Sequence, residues 1–326
     1  MACVGVVGLG SIAQRHCKNL KHCLPNVEIF GVSSSGRTLS TTEGGDFQIL
    51  PSLTSLLEKK PAFVIIASPS SYHLQHSEVF TRAGIPVLVE KPLTASLHDA
   101  VKFCELEKHC SVPIGLGYCL RFLPELIEIR KFMNSGILGK VLLVESSVGQ
   151  YLPDWRNERD YRESVSARVE LGGGVLLELS HELDYLRYLL GPLNFTHGVL
   201  RKADLLEIEV ESVADLNLVS EQGVLCTVHM DFLQKIPRRS CIITGVDGRL
   251  EWNLLTSQVD WISTEERKTI YYNETLDPND KYLDMLKNLV ATIEGEDNRG
   301  ATLQDGVATI KLIQQIKEKS IWGQAV

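Results

Sequence analysis

The stretch Cys3-Val-Gly-Val-Val-Gly-Leu-Gly-Ser-Ile-Ala13 decides the fold of the first part of the chain. Its apolar run, Val4 to Val7, predicts a buried strand. Gly8, Gly10 and Ala13 then form Gly-x-Gly-x-x-Ala where a helix should begin. Small residues allow the backbone to turn tightly and to approach a pyrophosphate, and the helix N-terminus offers N–H groups and a positive dipole end. We therefore predict a dinucleotide-binding turn here. Its predicted cofactor-binding residues are Gly8, Gly10, Ser11, Ile12 and Ala13.

The bulk composition is that of a globular protein with room for two domains: 326 residues, 44% hydrophobic and 23% charged. The net charge of -8 predicts no basic face and hence no nucleic-acid partner. No apolar run approaches the ~20 residues that span a bilayer, and the first strand follows Met1 almost at once. We therefore expect no membrane contact and a cytoplasmic location. The eight cysteines include no Cys-x-x-Cys pair, so no metal site is predicted.

Short strand and helix patterns alternate as far as residue 118, and their continuous apolar runs are typical of a parallel sheet buried on both faces. Beyond residue 124 the rhythm changes to long β segments with hairpin-like breaks, and the chain ends in helical patterns. We predict an α/β dinucleotide-binding domain, 1–118, and an α+β domain, 119–326, with a mostly antiparallel sheet. The predicted strands of the second domain are 140–149, 207–219, 223–233, 240–244, 249–253 and 258–262.

The end of the second predicted strand bears on the choice of cofactor. An acidic residue there would bind the ribose 2′-hydroxyl and favour NAD. The stretch Val32-Ser-Ser-Ser-Gly-Arg37 contains no acid. Hydroxyls and an arginine suit a 2′-phosphate, so NADP(H) is favoured and NAD(H) is the alternative; a plain polar loop is the other interpretation. The predicted cofactor contacts are Ser33, Ser34 and Arg37.

Two more predicted strands end in polar segments, at the sheet edge where ligands bind in open α/β folds. They are Ala67-Ser-Pro-Ser-Ser-Tyr-His73 and Glu90-Lys-Pro92. A lysine at such a strand end can polarise a substrate carbonyl or join a proton transfer. An exposed lysine before a helix-starting proline is the alternative interpretation. The predicted cofactor contacts of these segments are Ala67, Ser68, Pro69, His73, Glu90, Lys91 and Pro92.

With these features in order over most of the chain, the sequence resembles the Gfo/Idh/MocA family, the glucose–fructose oxidoreductase and inositol dehydrogenase family. The resemblance implies an N-terminal Rossmann domain, a C-terminal open-faced sheet used for self-association as a homodimer or homotetramer, and nicotinamide-dependent chemistry on sugars and polyols. The stretches that carry it are Gly8–His16, Ala67–His73, Glu90–Pro92, Gly117–Pro124, Ser135–Lys140 and Gly172–Asp184.

The resemblance implies two catalytic residues, Lys91 and His181, with the peptide bond after Lys91 usually cis. His181 would take or return the hydroxyl proton of the substrate. By itself a histidine on an apolar helical stripe is more often structural. The family has an acid four residues before this histidine, whereas this chain has Leu177 there and Glu178 only three before. Glu178 is therefore either a displaced partner of the site or a polar residue of the helix.

One long helix is predicted from Val175 to Leu190, with Glu178, His181 and Asp184 at three-residue spacing. Asp184 would either orient His181 or support the helix. The segment Tyr151–Arg168 combines cationic and aromatic residues, which favours an anionic sugar or a nucleotide sugar. A solvated loop with internal salt bridges is the alternative. The predicted substrate-binding residues are Lys91, Tyr118, Arg121, Trp155, Arg156, Glu178, His181 and Asp184.

The sequence thus predicts an NAD(P)-dependent dehydrogenase or reductase. It would move hydride between nicotinamide and a secondary alcohol or ketone of a sugar, sugar nucleotide or polyol. The alternatives are a non-catalytic sensor on the same fold and a reductase of a non-sugar substrate. The substrate, the direction of the reaction and the number of subunits are left open by the sequence.

Overall fold

A computed structural model describes residues 3–35, 47–155 and 160–323. The chain forms two compact units. The first joins Met1–Cys119 to Asn279–Ile310, and the second joins Leu120–Pro278 to Lys311–Val326. The predicted first boundary, at residue 118, lies one residue from the first of these divisions. The return of Asn279–Ile310 to the first unit was not anticipated, since 119–326 was assigned to one domain.

The structure corrects one predicted helix. The predicted helix from Val175 to Leu190 is two helices, because Leu179 leaves the helical path at φ −98° and ψ 23°. No described helix has the length and apolar character that crossing a membrane requires. The helices are α1 Ser11–Cys23, α2 Leu53–Glu58, α3 His73–Thr81, α4 Leu97–His109, α5 Pro124–Asn134, α6 Val175–Glu178, α7 His181–Leu190, α8 Asp280–Ile293 and α9 Leu303–Lys319.

The strands of the second unit required more correction. The predicted strand 207–219 begins only at Val213, because Asp204–Leu206 forms a turn and Glu207 has a φ of +48°. Leu193–Arg201 is a strand that was not predicted. The strands are β1 Cys3–Val7, β2 Glu28–Val32, β3 Gln48–Leu50, β4 Val64–Ile66, β5 Val87–Val89, β6 Ile114–Leu116, β7 Val141–Gly149, β8 Leu193–Arg201, β9 Val213–Ser220, β10 Leu225–Asp231, β11 Arg238–Gly245, β12 Arg249–Asn253, β13 Gln258–Ile262, β14 Arg267–Tyr272 and β15 Ile321–Trp322.

The first unit is built on a parallel sheet with the strand order β3-β2-β1-β4-β5-β6. Its central strands are fully buried; Val4, Val6 and Ile65 are each 0% exposed. This burial explains the continuous apolar runs in the sequence. The strand order reverses between β1 and β4, and a crevice for ligands opens beyond the carboxyl ends of the strands at such a point. The predicted Rossmann fold is confirmed.

The segment 279–310 completes the first unit by packing on α1. The side-chain amides of Asn19 and Asn279 exchange hydrogen bonds of 2.7 and 3.3 Å. On α8, the ring of Tyr282 lies under the guanidinium of Arg15, 4.7 Å from its Cζ, and edge-on to the ring of His16. The helix that follows the predicted cofactor turn is therefore held from both sides, by the sheet and by α8.

The second unit contains the sheet β14-β13-β12-β11-β7-β10-β9-β8-β15. Its neighbouring strands are antiparallel except for the pairs β7–β10 and β8–β15. One face is buried, with Cys226, Val228 and Met230 of β10 facing inward. The alternate residues form a polar, open face with a depression of about 480 Å³. The predicted mostly antiparallel, open-faced sheet is confirmed. Among the side chains that line the depression are Glu145, Ser147, Asp215, His229 and Arg238.

Candidate active site

The turn after β1 lies at the reversal of strand order. Gly8 has a φ of +106°, and a Cβ built on it would lie 2.4 Å from the carbonyl oxygen of Ala67, which follows β4. Only glycine fits this approach of two loops. Gly10 has an ordinary φ of −77°, and no described atom lies within 4 Å of a Cβ built there. The first glycine therefore permits the fold, and the second leaves open space above the turn.

The first turn of α1 is suited to an anion. The helix begins at the exposed Ser11, its N-cap is Gly10, and its first turn contains no acidic residue. No side-chain cap therefore accepts a hydrogen bond from the backbone N–H groups of Ser11, Ile12 and Ala13. The positive end of the helix dipole lies at the same place, at the edge of the crevice. These N–H donors, together with the open space at Gly10, fit a dinucleotide pyrophosphate.

The end of β2 presents hydroxyl groups. Ser33 and Ser34 follow Val32 directly and are partly exposed, and the Oγ of Ser33 lies 3.3 Å from the Oγ of Ser35. The described residues that directly follow β2, Ser33–Ser35, include no acid. Arg37, the third predicted contact in this segment, lies outside the described residues.

His73 joins the ends of two strands from inside the protein. Its Nε2 lies 2.8 Å from the carbonyl oxygen of Ser68, and its Nδ1 lies 3.0 Å from that of Pro92. Burial lowers the pKa of His73, although these carbonyls and the charge of Glu90 oppose the shift. Both ring nitrogens thus face the backbone, so His73 holds the predicted cofactor segments together. Of the other predicted contacts here, Ala67, Ser68 and Pro92 are buried and Pro69 is partly exposed.

Glu90 and Lys91 follow β5, the neighbour of β4. Glu90 is 6% exposed; its Oε1 lies 2.7 Å from the Nε2 of His16, and its Oε2 accepts the backbone N–H of Lys91 at 3.1 Å. Burial favours the neutral acid, but the hydrogen bond and charge of His16, and then Lys91, outweigh it and lower the pKa of Glu90. Lys91 is partly exposed, and the peptide bond from it to Pro92 is cis, as the resemblance implies.

His16 is the residue that the sequence analysis missed. It stands in the stretch Gly8–His16 that carries the resemblance, but it was assigned no role. Its signal was its place on the apolar face of α1, where Ala13, Cys17 and Leu20 are also buried. A polar ring among such residues needs a hydrogen-bonding partner, and that partner is Glu90.

In the second unit, Arg121 and Asp184 form a buried ion pair. Nη2 of Arg121 donates to Oδ1 of Asp184 at 2.7 Å, and Nε donates to Oδ2 at 3.0 Å. The side chains are 5% and 1% exposed. The ring of Tyr188 lies 5.1 Å from the Cζ of the same arginine. The ion pair ties α7 to Arg121, and the two roles predicted for Asp184 stay predictions.

His181 is the first residue of α7 and is 9% exposed. Glu178 ends α6 and is partly exposed. Because the helix is interrupted between them, their three-residue spacing is not that of one continuous helix. Next to His181, the fully buried Glu182 accepts a hydrogen bond from Nε of Arg239 at 2.7 Å.

The other predicted substrate residues have different surroundings. Tyr118 is 0% exposed. The partly exposed Trp155 packs edge-on to Phe232, with the ring centroids 5.4 Å apart. In the same segment Arg162 is exposed and pairs with Asp160, inside the segment, and with Glu207, outside it. Arg156 and Arg159 lie outside the described residues. The described part of the chain contains no group of three His, Cys, Asp or Glu residues that could hold a metal ion.

Comparison with known proteins supports the family in two consecutive parts of the chain. Residues 3–118 match the family model "Oxidoreductase family, NAD-binding Rossmann fold", and residues 126–251 match the "GFO/IDH/MocA C-terminal domain". The 1,5-anhydro-D-fructose reductase of Ensifer adhaerens is 25% identical over 308 residues, which are 92% of this chain and 90% of the relative.

Two solved structures share the fold at low identity. KijD10, a 3-ketoreductase from Actinomadura kijaniata in complex with NADP and TDP-benzene, has a TM-score of 0.81 and 17% identity over 99% of both chains. The WlbA dehydrogenase from Bordetella pertussis, in complex with NADH and UDP-GlcNAcA, has a TM-score of 0.80 and 18% identity over 97% of this chain and 94% of its own. Given the two family models, which together cover more than half of its length, this chain belongs to the GFO/IDH/MocA family of NAD(P)-binding oxidoreductases.

Proposed function

We propose that the protein is a dehydrogenase or reductase acting on a secondary alcohol or ketone of a sugar, sugar nucleotide or polyol. One observation carries the proposal. The turn that fits a pyrophosphate and Lys91 lie at the same carboxyl edge of one parallel sheet, after β1 and after β5. The resemblance to a reductase of 1,5-anhydro-D-fructose over 92% of the chain supports a sugar-like substrate.

Bound nicotinamide would supply or accept the hydride. Lys91 would donate a hydrogen bond to the substrate oxygen, and its positive charge would stabilise the negative charge that develops there. His181 is the proposed group for the hydroxyl proton, an assignment that rests on the stretch Gly172–Asp184. Glu178 is a proposed substrate contact, whereas Arg121 and Asp184 neutralise each other and would support the residues around them.

For the cofactor, we propose a preference for NADP(H) over NAD(H). The hydroxyls of Ser33, Ser34 and Ser35 after β2, and the absence of an acid among these described residues, support it. Relatives of the same fold were solved with each nucleotide, so the family alone does not decide. Fluorescence titration with NADPH and NADH gives the two dissociation constants, and equal values or tighter NADH binding would contradict the preference.

We also propose self-association through the open face of the second sheet, giving a homodimer or homotetramer, and a cytoplasmic location. Native mass spectrometry of freshly purified protein would give the subunit number and any retained nucleotide in one experiment.

The proposed activity is tested by screening keto sugars, nucleotide sugars and polyols at the nicotinamide absorbance. On a substrate that the wild type turns over, Lys91→Ala should lower kcat at least ~100-fold, since acid–base and electrostatic groups contribute about that much. Because Lys91 is also a predicted cofactor contact, the dissociation constant of the variant for the nucleotide is measured beside its kcat. Lys102→Ala, which removes an exposed lysine of α4, is the matched control. Full turnover by Lys91→Ala would reject the assignment, and tight nucleotide binding without turnover on any substrate would favour a sensor.

A further inference from the structure

We infer that His16 is a positioning residue for Lys91. Through the carboxylate of Glu90, it fixes the backbone from which the Lys91 side chain extends, and it links that backbone to the helix that begins at the cofactor turn. The expected effect on kcat rests on the proposed function. The link from His16 through Glu90 to the backbone of Lys91 can be tested without turnover.

The chain of contacts is short and buried. His16 is 0% exposed, and its Nε2 lies 2.7 Å from Oε1 of Glu90. The second oxygen, Oε2, accepts the N–H of Lys91 at 3.1 Å. A carboxylate only accepts hydrogen bonds, so with Glu90 ionised the hydrogen between the two side chains belongs to Nε2 of His16. No described residue hydrogen-bonds the other ring nitrogen, so the ring's polar contact within the described residues is to Glu90.

The surroundings hold this arrangement in one geometry. A Cβ on Gly117, at the end of β6, would lie 3.0 Å from both Oε2 of Glu90 and the backbone nitrogen of Lys91. Glycine therefore leaves the room that the carboxylate needs. On the other side, Tyr282 of α8 meets the ring of His16 edge-on, with the centroids 6.2 Å apart. Because packed interiors resist rearrangement, this contact restricts rotation of the ring.

The ionisation of Glu90 depends on its neighbours. The titratable or charged groups around it are His16 on α1, Lys91 beside it, His73 on α3 and Tyr282 on α8, and Arg15 of α1 acts in turn on Tyr282. Burial lowers the pKa of His73 and raises that of Tyr282, so these two are neutral at pH 7. An apolar residue at position 16 would remove the hydrogen bond and charge that lower the pKa of Glu90, and burial would then raise it.

Three variants separate positioning from packing. His16→Leu removes the donor and keeps an apolar volume, and His16→Gln restores an N–H near the place of Nε2. His22→Leu makes the same change at the exposed end of the same helix. We expect His16→Leu to lower kcat at least tenfold with little change in nucleotide affinity. We also expect its kcat to fall with decreasing pH through the raised pKa of Glu90. His16→Gln and His22→Leu should stay within about threefold of the wild type.

The direct readout is the backbone amide of Lys91 in protein labelled with ¹⁵N-lysine, with the signal assigned by its loss in Lys91→Arg. In the wild type its shift should follow the ionisation of Glu90 at acidic pH. The midpoint of this titration should lie at higher pH in His16→Leu and return to the wild-type value in His16→Gln. In Glu90→Gln the titration should be absent, and this variant tests the inference even if His16→Leu does not fold. An unchanged amide titration in folded His16→Leu, or an unchanged wild-type-like titration in Glu90→Gln, would overturn the inference. A wild type that turns over no substrate would instead reject the proposed function and leave the amide test decisive.

Discussion

Arg121 and Asp184 hold each other in a two-point ion pair, with hydrogen bonds of 2.7 and 3.0 Å between side chains that are almost fully buried. Asp184 lies in the first turn of α7, the helix that begins at His181. The pair therefore fixes this helix to the segment Cys119–Phe122, which carries Arg121. The two residues, which are predicted substrate contacts, are thus bonded to each other within the second unit.

Arg121→Met should destabilise the second unit by about 3–5 kcal/mol, because it removes the cation that neutralises a buried carboxylate. The double variant Arg121→Met with Asp184→Leu should regain most of that loss, since an apolar pair of similar volume often replaces a buried ion pair. Urea unfolding followed by tryptophan fluorescence measures this, because every tryptophan of the chain lies in the second unit. A single variant as stable as the wild type would contradict the structural role. The tryptophans are Trp155, Trp252, Trp261 and Trp322.

The sequence predicted local structure well where a residue pattern is typical of a single kind of element. The run Val4 to Val7 is a strand buried on both faces, and the turn after it lies at the reversal of strand order. The sequence predicted that Gly8 allows a tight turn. The structure adds the residue that the turn approaches, Ala67.

Contacts between distant segments could not be predicted in this way. A helical pattern near the end of the chain does not specify the core that receives the helix, so the packing of α8 on α1 was missed. The pairing of His16 with Glu90 joins residues 74 positions apart. The sequence around either residue does not indicate the other as its partner. The break at Leu179 was missed because both halves, α6 and α7, keep apolar residues at helical spacing.

The two glycines of the turn should respond differently to alanine. Gly8→Ala places a Cβ 2.4 Å from a backbone oxygen at a positive φ, and such overpacking should cost at least about 1–3 kcal/mol of stability together with nucleotide affinity. Gly10→Ala meets no described atom within 4 Å, so its stability should stay close to that of the wild type. Its methyl group would occupy the space left for a pyrophosphate, so the dissociation constant for the nucleotide should rise at least about tenfold.

Thermal unfolding and nucleotide fluorescence, measured on both variants, separate the two effects. Gly10→Ala with wild-type nucleotide affinity would contradict the assignment of the turn.

His229 should make the stability of the second unit depend on pH. Its Nε2 lies 2.8 Å from Asp231 and its Nδ1 lies 2.6 Å from Asp215. The hydrogen bond to Asp231 raises the pKa of His229 to about 9 against the effect of burial, and Asp215 adds to the rise. A raised pKa means that the stabilisation is complete below the unfolded value of about 6.5 and is lost as the pH rises through about 9.

The comparison is His229→Gln against the wild type, with the exposed His197→Gln on β8 as the control. Because the His229 side chain is 37% exposed, solvent screening reduces the effect, and we expect about 1 kcal/mol at pH 6. The difference in unfolding free energy should disappear by pH 10. A difference that grows with pH would show that the imidazole is neutral in the folded protein.

Leu225 offers the sharpest test of self-association. It pairs with Leu143 across β10 and β7, and the two side chains are 56% and 46% exposed at the edge of a polar face. Burying one leucine contributes about 1.5–3 kcal/mol, and a symmetric interface would bury it twice. Leu225→Glu should therefore raise the dissociation constant between subunits at least about 100-fold.

Sedimentation at micromolar concentration gives the mass of each variant. Ile137→Glu, which changes an exposed side chain in the loop after α5, should sediment as the wild type does. In a symmetric interface through this face, the new carboxylate would lie beside its copy from the other subunit, and both charges would lose their water. A wild-type mass for Leu225→Glu would therefore show that the subunits do not associate through this face. A monomeric wild type would remove the association itself. The open face of the second sheet would then present its charged residues to solvent.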